Sequence, residues 1–167
     1  INPKTIENIS KKLQSMGVNV SVGDDFVEVD ATSTDLEAQN INTQPFPGFP
    51  TDMQAQFMAL NTIASGKSVI EETVFENRFQ HVSQLIKMGA DISLDKNKAY
   101  VTGVSNLVGA KVSASDLRAS ASLVLAGLVG KNKTMINDIY HIDRGYECIE
   151  EKLNKLGAEI IREPVVN

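Results

Sequence analysis

Apolar residues recur at helical spacing in three segments that share one continuation. In residues 4–16, Ile6, Ile9, Leu13 and Met16 form one stripe, with Glu7, Lys11, Lys12 and Gln14 around it, the pattern of an amphipathic helix. Gly17 stops that helix, and residues 18–22 and 26–29 read as short strands joined by Gly23-Asp24-Asp25. Residues 78–88 repeat the pattern, stopped by Gly89 and followed by strands at 90–94 and 99–101 around a Lys-Asn-Lys turn. Residues 146–156 repeat it again, stopped by Gly157, with a strand expected at 158–161. The junctions align as Leu13-Gln-Ser-Met16-Gly17-Val18, Leu85-Ile-Lys-Met88-Gly89-Ala90 and Leu153-Asn-Lys-Leu156-Gly157-Ala158.

A second element alternates with the first. Thr51-Asp52-Met-Gln54-Ala-Gln56 opens one copy and Ser115-Asp116-Leu-Arg118-Ala-Ser120 the other. Each starts a helix that ends near a glycine, Gly66 or Gly130, and leads into a strand, at 68–73 or 134–139. The 116–130 helix is apolar nearly all round after Arg118, as a helix inside a domain is. The unit of outer helix, strands, inner helix and strand begins three times. This predicts an α/β fold of pseudo-symmetric units that pack inner helices together behind sheets. Three outer helices but two inner ones make the three-fold arrangement incomplete. Exposed apolar surface and self-association are the expected consequences.

With 167 residues and 42% hydrophobic content, the whole of 1–167 fits a single domain with a proper core. A net charge of -5 argues against nucleic acid or an anionic membrane as the main partner. One cysteine excludes an internal disulfide and fits a reducing compartment, so a cytoplasmic location is expected. No apolar run reaches membrane-spanning length. The chain begins with Ile1 and reads as part of something longer.

Charge placement carries the candidate chemistry. Residues 42–50 hold three prolines and a glycine that keep the backbone extended until Thr51-Asp52 opens a helix. Taken alone, Asp52 reads as an ordinary N-cap; the same geometry would also fix a base or hydrogen-bond acceptor at a cleft edge. Arg78, Arg118 and Arg144 fall at or just before expected helix starts. Repeat symmetry would gather them, with Asp52 and Asp116, at one end of the domain. There guanidinium forks and free backbone N–H groups suit a carboxylate or phosphate. The alternative is local structural pairing with Glu76, Asp116 and Asp143. His81 in an outer helix and His141 in a strand-to-helix loop have no second ligand at metal spacing, so no metal site is expected. Cys148 reads as a surface thiol, and Lys131 to Lys133 as a solvated turn without P-loop glycine spacing.

Four strings go further: residues 47–56 (Pro-Gly-Phe-Pro-Thr-Asp-Met-Gln-Ala-Gln), 72–79 (Glu-Thr-Val-Phe-Glu-Asn-Arg-Phe), 115–121 (Ser-Asp-Leu-Arg-Ala-Ser-Ala) and 141–147 (His-Ile-Asp-Arg-Gly-Tyr-Glu). Together they closely resemble the bacterial UDP-N-acetylglucosamine enolpyruvyl transferases, end to end. The related shikimate-pathway enzymes share the fold but not these strings together. The resemblance implies an inside-out α/β barrel of three repeats in each of two domains, this chain forming most of the C-terminal domain without its partner domain. It implies transfer of enolpyruvate from phosphoenolpyruvate to the 3-hydroxyl of UDP-N-acetylglucosamine, the first committed step of peptidoglycan synthesis, with no cofactor. Asp52 matches the carboxylate that takes the hydroxyl proton, and Val74 the residue whose backbone binds the sugar. Arg118 and Arg144 match the phosphoenolpyruvate-binding arginines, Asp116 the aspartate near its reacting carbons, and Arg78 an arginine lining the cleft. The family's N-terminal lysine and asparagine, and the reactive cysteine and arginine of the other domain, have no counterparts; Cys148 falls after the Asp-Arg-Gly-Tyr string and is not that cysteine. The chain is therefore expected to carry half a site and to be inactive alone. A non-catalytic repeat module that binds a carboxylate or phosphate ligand through its arginines is the other reading.

Overall fold

The computed structural model describes residues 2–164. It is a mixed α/β structure in which three small sheets surround two packed helices. The first unit opens with a 3-10 turn at Pro3–Ile6 that runs into α1 (Glu7–Ser15), followed by the antiparallel hairpin β1 (Asn19–Val22) and β2 (Val27–Asp30). A short β3 (Ile41–Asn42) precedes a 3-10 turn at Thr51–Met53 and the inner helix α2 (Gln54–Asn61). After β4 (Lys67–Glu71) comes the second outer helix, α3 (Val82–Lys87), then β5 (Asp91–Asp95), β6 (Lys98–Thr102) and β7 (Lys111–Ser113). The second inner helix, α4 (Leu117–Val129), leads to β8 (Met135–Asn137), α5 (Tyr140–Asp143) and the third outer helix, α6 (Ile149–Asn154). The strands assemble as β1-β2, β3-β4-β6-β5 and β7-β8, and none of the three sheets closes into a barrel.

The aligned junctions have a common physical form. Val18, Ala90 and Ala158 each donate a backbone N–H to the carbonyl five residues back, on Leu13, Leu85 and Leu153, all at 3.1 Å. Gly17, Gly89 and Gly157 bond the carbonyls of Gln14, Ile86 and Asn154 at 2.9–3.0 Å. These paired bonds define a Schellman stop, which needs a left-handed residue at the glycine position. The three glycines have φ of 93°, 89° and 95°, a conformation that costs other residues about 1–2 kcal/mol.

The two inner units share a parallel pairing. β3 lies parallel to β4 (Ile41 opposite Ile70) and β7 parallel to β8 (Val112 opposite Ile136). Each pairing ends in the same bond: Thr43 N–H to the Glu71 carbonyl, and Ala114 N–H to the Asn137 carbonyl, both 3.0 Å. From there the units diverge. Residues 44–50 intervene before Thr51-Asp52 in the first, whereas Ala114 leads directly into Ser115-Asp116 in the second.

α2 and α4 pack on each other at the centre. Phe57, Met58 and Leu123 are at most 2% exposed, each contributing about 1.5–3 kcal/mol of burial. α2 is buried on nearly every side, polar Gln54, Gln56 and Asn61 included, while α4 leaves Leu125, Leu128 and Val129 at the surface. The expected exposed apolar surface of an incomplete three-fold core lies along this side of α4.

Three expectations need correction. Residues 158–164 follow the third Schellman stop but form no strand, because no neighbouring strand offers them a ladder. The second outer helix starts at Val82 rather than residue 78, behind a left-handed Asn77. The third starts at Ile149 rather than 146, behind Cys148, which is exposed with φ 45° instead of lying in the first helical turn.

Candidate active site

The proline loop is pinned before it delivers Asp52. The Phe49 ring stands edge-on to Phe57 of α2, centroids 5.0 Å apart, the Asn8 side chain donates to the Pro47 carbonyl, and Gln44 N–H reaches the Phe49 carbonyl at 2.9 Å. The tight 3-10 turn after Pro50 then puts Met53, not Asp52, at the N-cap of α2, and no side chain caps that helix. The capping role read for Asp52 is thereby overturned. Its side chain is 65% exposed and pairs with Arg118. Both Nε and Nη2 of the guanidinium donate to Oδ1, and Oδ2 has no partner among the described residues.

Asp116 occupies the position that Asp52 does not. It is the N-cap of α4 in extended conformation, its Oδ1 accepting from Arg118 N–H at 2.9 Å and Ala119 N–H at 3.1 Å. One residue thus fixes the backbone of Arg118 while another, from the first unit, holds its guanidinium. Replacing such a cap with alanine typically costs about 1 kcal/mol.

The other arginines sit differently from the expectation. Arg78 lies in the loop before α3 with its guanidinium 4.4 Å from the centre of the Phe75 ring. Arg144 is the C-cap of the short α5 and is exposed, and its side chain makes no hydrogen bond or ion pair among the described residues. Neither opens an outer helix: α3 starts only at Val82, and Gly145 with left-handed Cys148 separates Arg144 from α6. Local pairing with Glu76, Asp116 and Asp143 does not occur either. The guanidinium of Arg118 goes to Asp52, and Asp143 accepts two bonds from Arg162, at 2.7 and 3.0 Å, which hold its carboxyl below the usual range.

Packing draws these segments to one end of α2 and α4. A Cβ on Gly145 would lie 3.0 Å from Leu117, so the chain beside Arg144 rests on the first residue of α4. Gln56 of α2 bonds the Tyr146 hydroxyl at 3.3 Å. His81 lies close enough to Asp116 to feel its charge. Burial nonetheless dominates and pushes the imidazole down to about 4, since a charged ring would be desolvated there. His141, expected in a loop, lies within α5 with its ring 4.1 Å from that of Tyr140. Arg118 is therefore in direct contact with both Asp52 and Asp116, whereas Arg78 and Arg144 approach through their segments and bond neither aspartate.

The loop that carries Val74 and Arg78 borders a groove of about 910 Å³, lined also by Leu94 of β5 and by Lys96 and Asn97 of the β5–β6 turn. Val74 N–H bonds the Glu72 carboxylate at 2.9 Å, and its carbonyl is unbonded among the described residues. Glu72 itself, 3% exposed, also accepts from Thr51, next to Asp52. Sequence reading missed Glu72 and Thr51: a glutamate at a strand end carries no signal of burial when its donors come from elsewhere in the chain.

The family described as EPSP synthase (3-phosphoshikimate 1-carboxyvinyltransferase) matches residues 1–153. The chain belongs to that family. Within it, the chain is 56% identical over 160 residues to the UDP-N-acetylglucosamine 1-carboxyvinyltransferase of Coxiella burnetii strain Dugway 5J108-111, and equally to that of strain RSA 493 / Nine Mile phase I. Those alignments take in 96% of this chain and 37% of each relative, so the chain spans little more than a third of their length. The crystal structure of the enolpyruvyl transferase NikO from Streptomyces tendae superposes with a TM-score of 0.84 at 31% identity, over 92% of this chain and 36% of that one. EPSP synthase from Acinetobacter baumannii, at 16% identity and a TM-score of 0.64 over the same shares, has the same fold. No helix among the described residues is long and apolar enough to cross a membrane, and none of their His, Cys, Asp and Glu side chains form a group of three able to hold a metal.

Proposed function

We propose that this chain is a C-terminal part of a bacterial UDP-N-acetylglucosamine 1-carboxyvinyltransferase and contributes one wall of its active site. The observation that carries the reading is the Asp52–Arg118 pair, formed across the repeat from a proline-stiffened loop and a helix start. It is supported by 56% identity to enzymes of that name, against 16% to the EPSP synthase structure.

In this reading, Oδ2 of Asp52 accepts the proton of the sugar 3-hydroxyl while the oxygen bonds to C2 of phosphoenolpyruvate and C3 gains a proton. Loss of phosphate from C2 and of a proton from C3 then leaves the enolpyruvyl ether. Arg118 and Arg144 hold the anionic substrate, Arg118 through guanidinium N–H donors that its bonds to Asp52 Oδ1 leave free. Asp116 stands beside the reacting carbons, the Val74 backbone receives the N-acetylglucosamine group, and Arg78 lines the cleft. The product enters the cytoplasmic stage of peptidoglycan synthesis, hence cell-wall growth, shape and division. The remaining side chains of the site belong to the partner domain, so the 167 residues alone are inactive.

Phosphate release from phosphoenolpyruvate and UDP-N-acetylglucosamine tests this. The full-length protein that contains this chain is expected to release phosphate only when both substrates are present, and the purified 167-residue chain to release none. Release by the short chain would overturn the half-site; no release by the full-length protein would overturn the activity.

A further inference from the structure

We propose that Glu72 is a positioning residue that sets the register between the two loops of the site, the one delivering Asp52 and the one presenting Val74 and Arg78. The inference rests on the function proposed above. Glu72 directly follows β4 and is 3% exposed, yet it forms no ion pair among the described residues. A buried carboxylate without a cation must be met by hydrogen-bond donors, and four are present. Oε1 accepts from the Thr43 hydroxyl at 2.9 Å, from Val74 N–H at 2.9 Å and from Phe75 N–H at 3.1 Å. Oε2 accepts from the Thr51 hydroxyl at 2.8 Å.

Those donors come from three places: the end of β3, the residue before Asp52, and the turn that opens the Val74–Arg78 loop. The backbone of Glu72 is held too. Its N–H reaches the Asn97 carbonyl at 2.9 Å, and its carbonyl accepts from the Asn97 side chain at 3.1 Å. Thr43 closes the frame by accepting Thr73 N–H at 2.9 Å. The carboxylate is thus a rigid node between two otherwise separate loops. At the equivalent point of the second unit, Asp138 is exposed with φ 57° and gathers no such donors among the described residues.

A node of this kind acts on catalysis through geometry, because displacing a reacting group by about 1 Å can cost about 100-fold in rate. In the full-length protein, Glu72→Ala is expected to lower kcat/KM for UDP-N-acetylglucosamine about 100-fold, with a smaller change in KM for phosphoenolpyruvate. Glu72→Gln keeps an oxygen for Oε1's donors and an amide that Thr51 can accept, and is expected to rescue activity to within about fivefold of wild type. In the 167-residue chain, amide exchange at Val74 and Phe75 should accelerate in Glu72→Ala while amides of α2 and α4 keep their protection. Folded Glu72→Ala with kinetic constants within twofold of wild type, or Glu72→Gln as damaged as Glu72→Ala, would overturn the proposal. If Asp52→Ala and Arg118→Ala are also without effect, the functional reading has failed; if they abolish turnover and Glu72→Ala does not, the positioning role alone has failed.

Discussion

The two inner units use the same parallel strand pair and the same helix, and differ in what lies between them. In the second unit the chain passes from Ala114 straight into Ser115-Asp116, and the aspartate caps α4 with both of its first free N–H groups on Oδ1. In the first unit, residues 44–50 intervene, the helix start is a 3-10 turn, and the aspartate points outward to Arg118. A repeat position whose carboxylate caps a helix in one copy is thereby freed from capping in the other, and the function proposed above uses that free carboxylate as the proton acceptor. The difference is a loop, and the loop is held by Phe49 on Phe57 and by Glu72 on Thr51.

The sharpest way to break this comparison is to remove each aspartate in turn. Asp52→Ala in the full-length protein is expected to lower kcat by about 10²- to 10⁴-fold, the range for a positioned acid or base. Its melting temperature should stay near wild type, because an exposed ion pair is worth about 0–1 kcal/mol. Near-normal turnover would remove the distinction between the copies.

The second test concerns His81 and its repeat counterpart Glu147, since Arg78 aligns with Arg144. His81 is buried and pushed down to about 4 from an ordinary 6.5, whereas Glu147 is exposed. A group whose folded value lies below its unfolded one binds fewer protons when folded. The neutral His81 therefore destabilises progressively as pH falls from about 6.5 towards 4, by up to about 3 kcal/mol. Denaturant unfolding of the 167-residue chain at several pH values should show this loss, and His81→Gln should flatten it; Glu147→Gln should not. An unchanged pH slope in His81→Gln would locate the titration elsewhere.

Asp116→Ala should cost about 1 kcal/mol as a lost cap, read as a shift in denaturant midpoint at constant slope. If Asp116→Ala proves as neutral in stability as Asp52→Ala, the two copies do not divide the work as described. Smallest of all is Asp138→Asn, expected to stay within about 0.5 kcal/mol of wild type because this position is exposed, in contrast to the node formed by Glu72.

Much of the fold was legible because it is encoded locally. Leu13, Gly17 and Val18 identify a helix stop within six residues, and the same triplet of roles recurs at Leu85 and Leu153. The strand expected after Gly157 fails for the opposite reason: Ala158 to Ile161 have the residues of a strand, but pairing depends on a neighbour that the local pattern does not report. The site divides along the same line. The periodic spacing of Asp52 and Asp116 signalled equivalent helix starts, yet it could not say that one caps and the other does not, since that turns on where a 3-10 turn ends. Partners such as Arg118 for Asp52, or Thr51 for Glu72, lie far apart in sequence and become visible only in three dimensions.

The three helix stops have one more consequence, for the order in which the chain organises itself. Each is made from contacts no more than five residues apart, so its formation requires only the closure of short loops, events of about 10–100 ns. The sheet pairings that follow, Ile41 with Ile70 or Ser68 with Val101, close far longer loops and belong to the slow part of folding. The stop at Leu153–Ala158 forms with no sheet behind it among the described residues. The glycine junctions are thus timing marks as well as boundaries: they fix where each outer helix ends before the strands have found their neighbours.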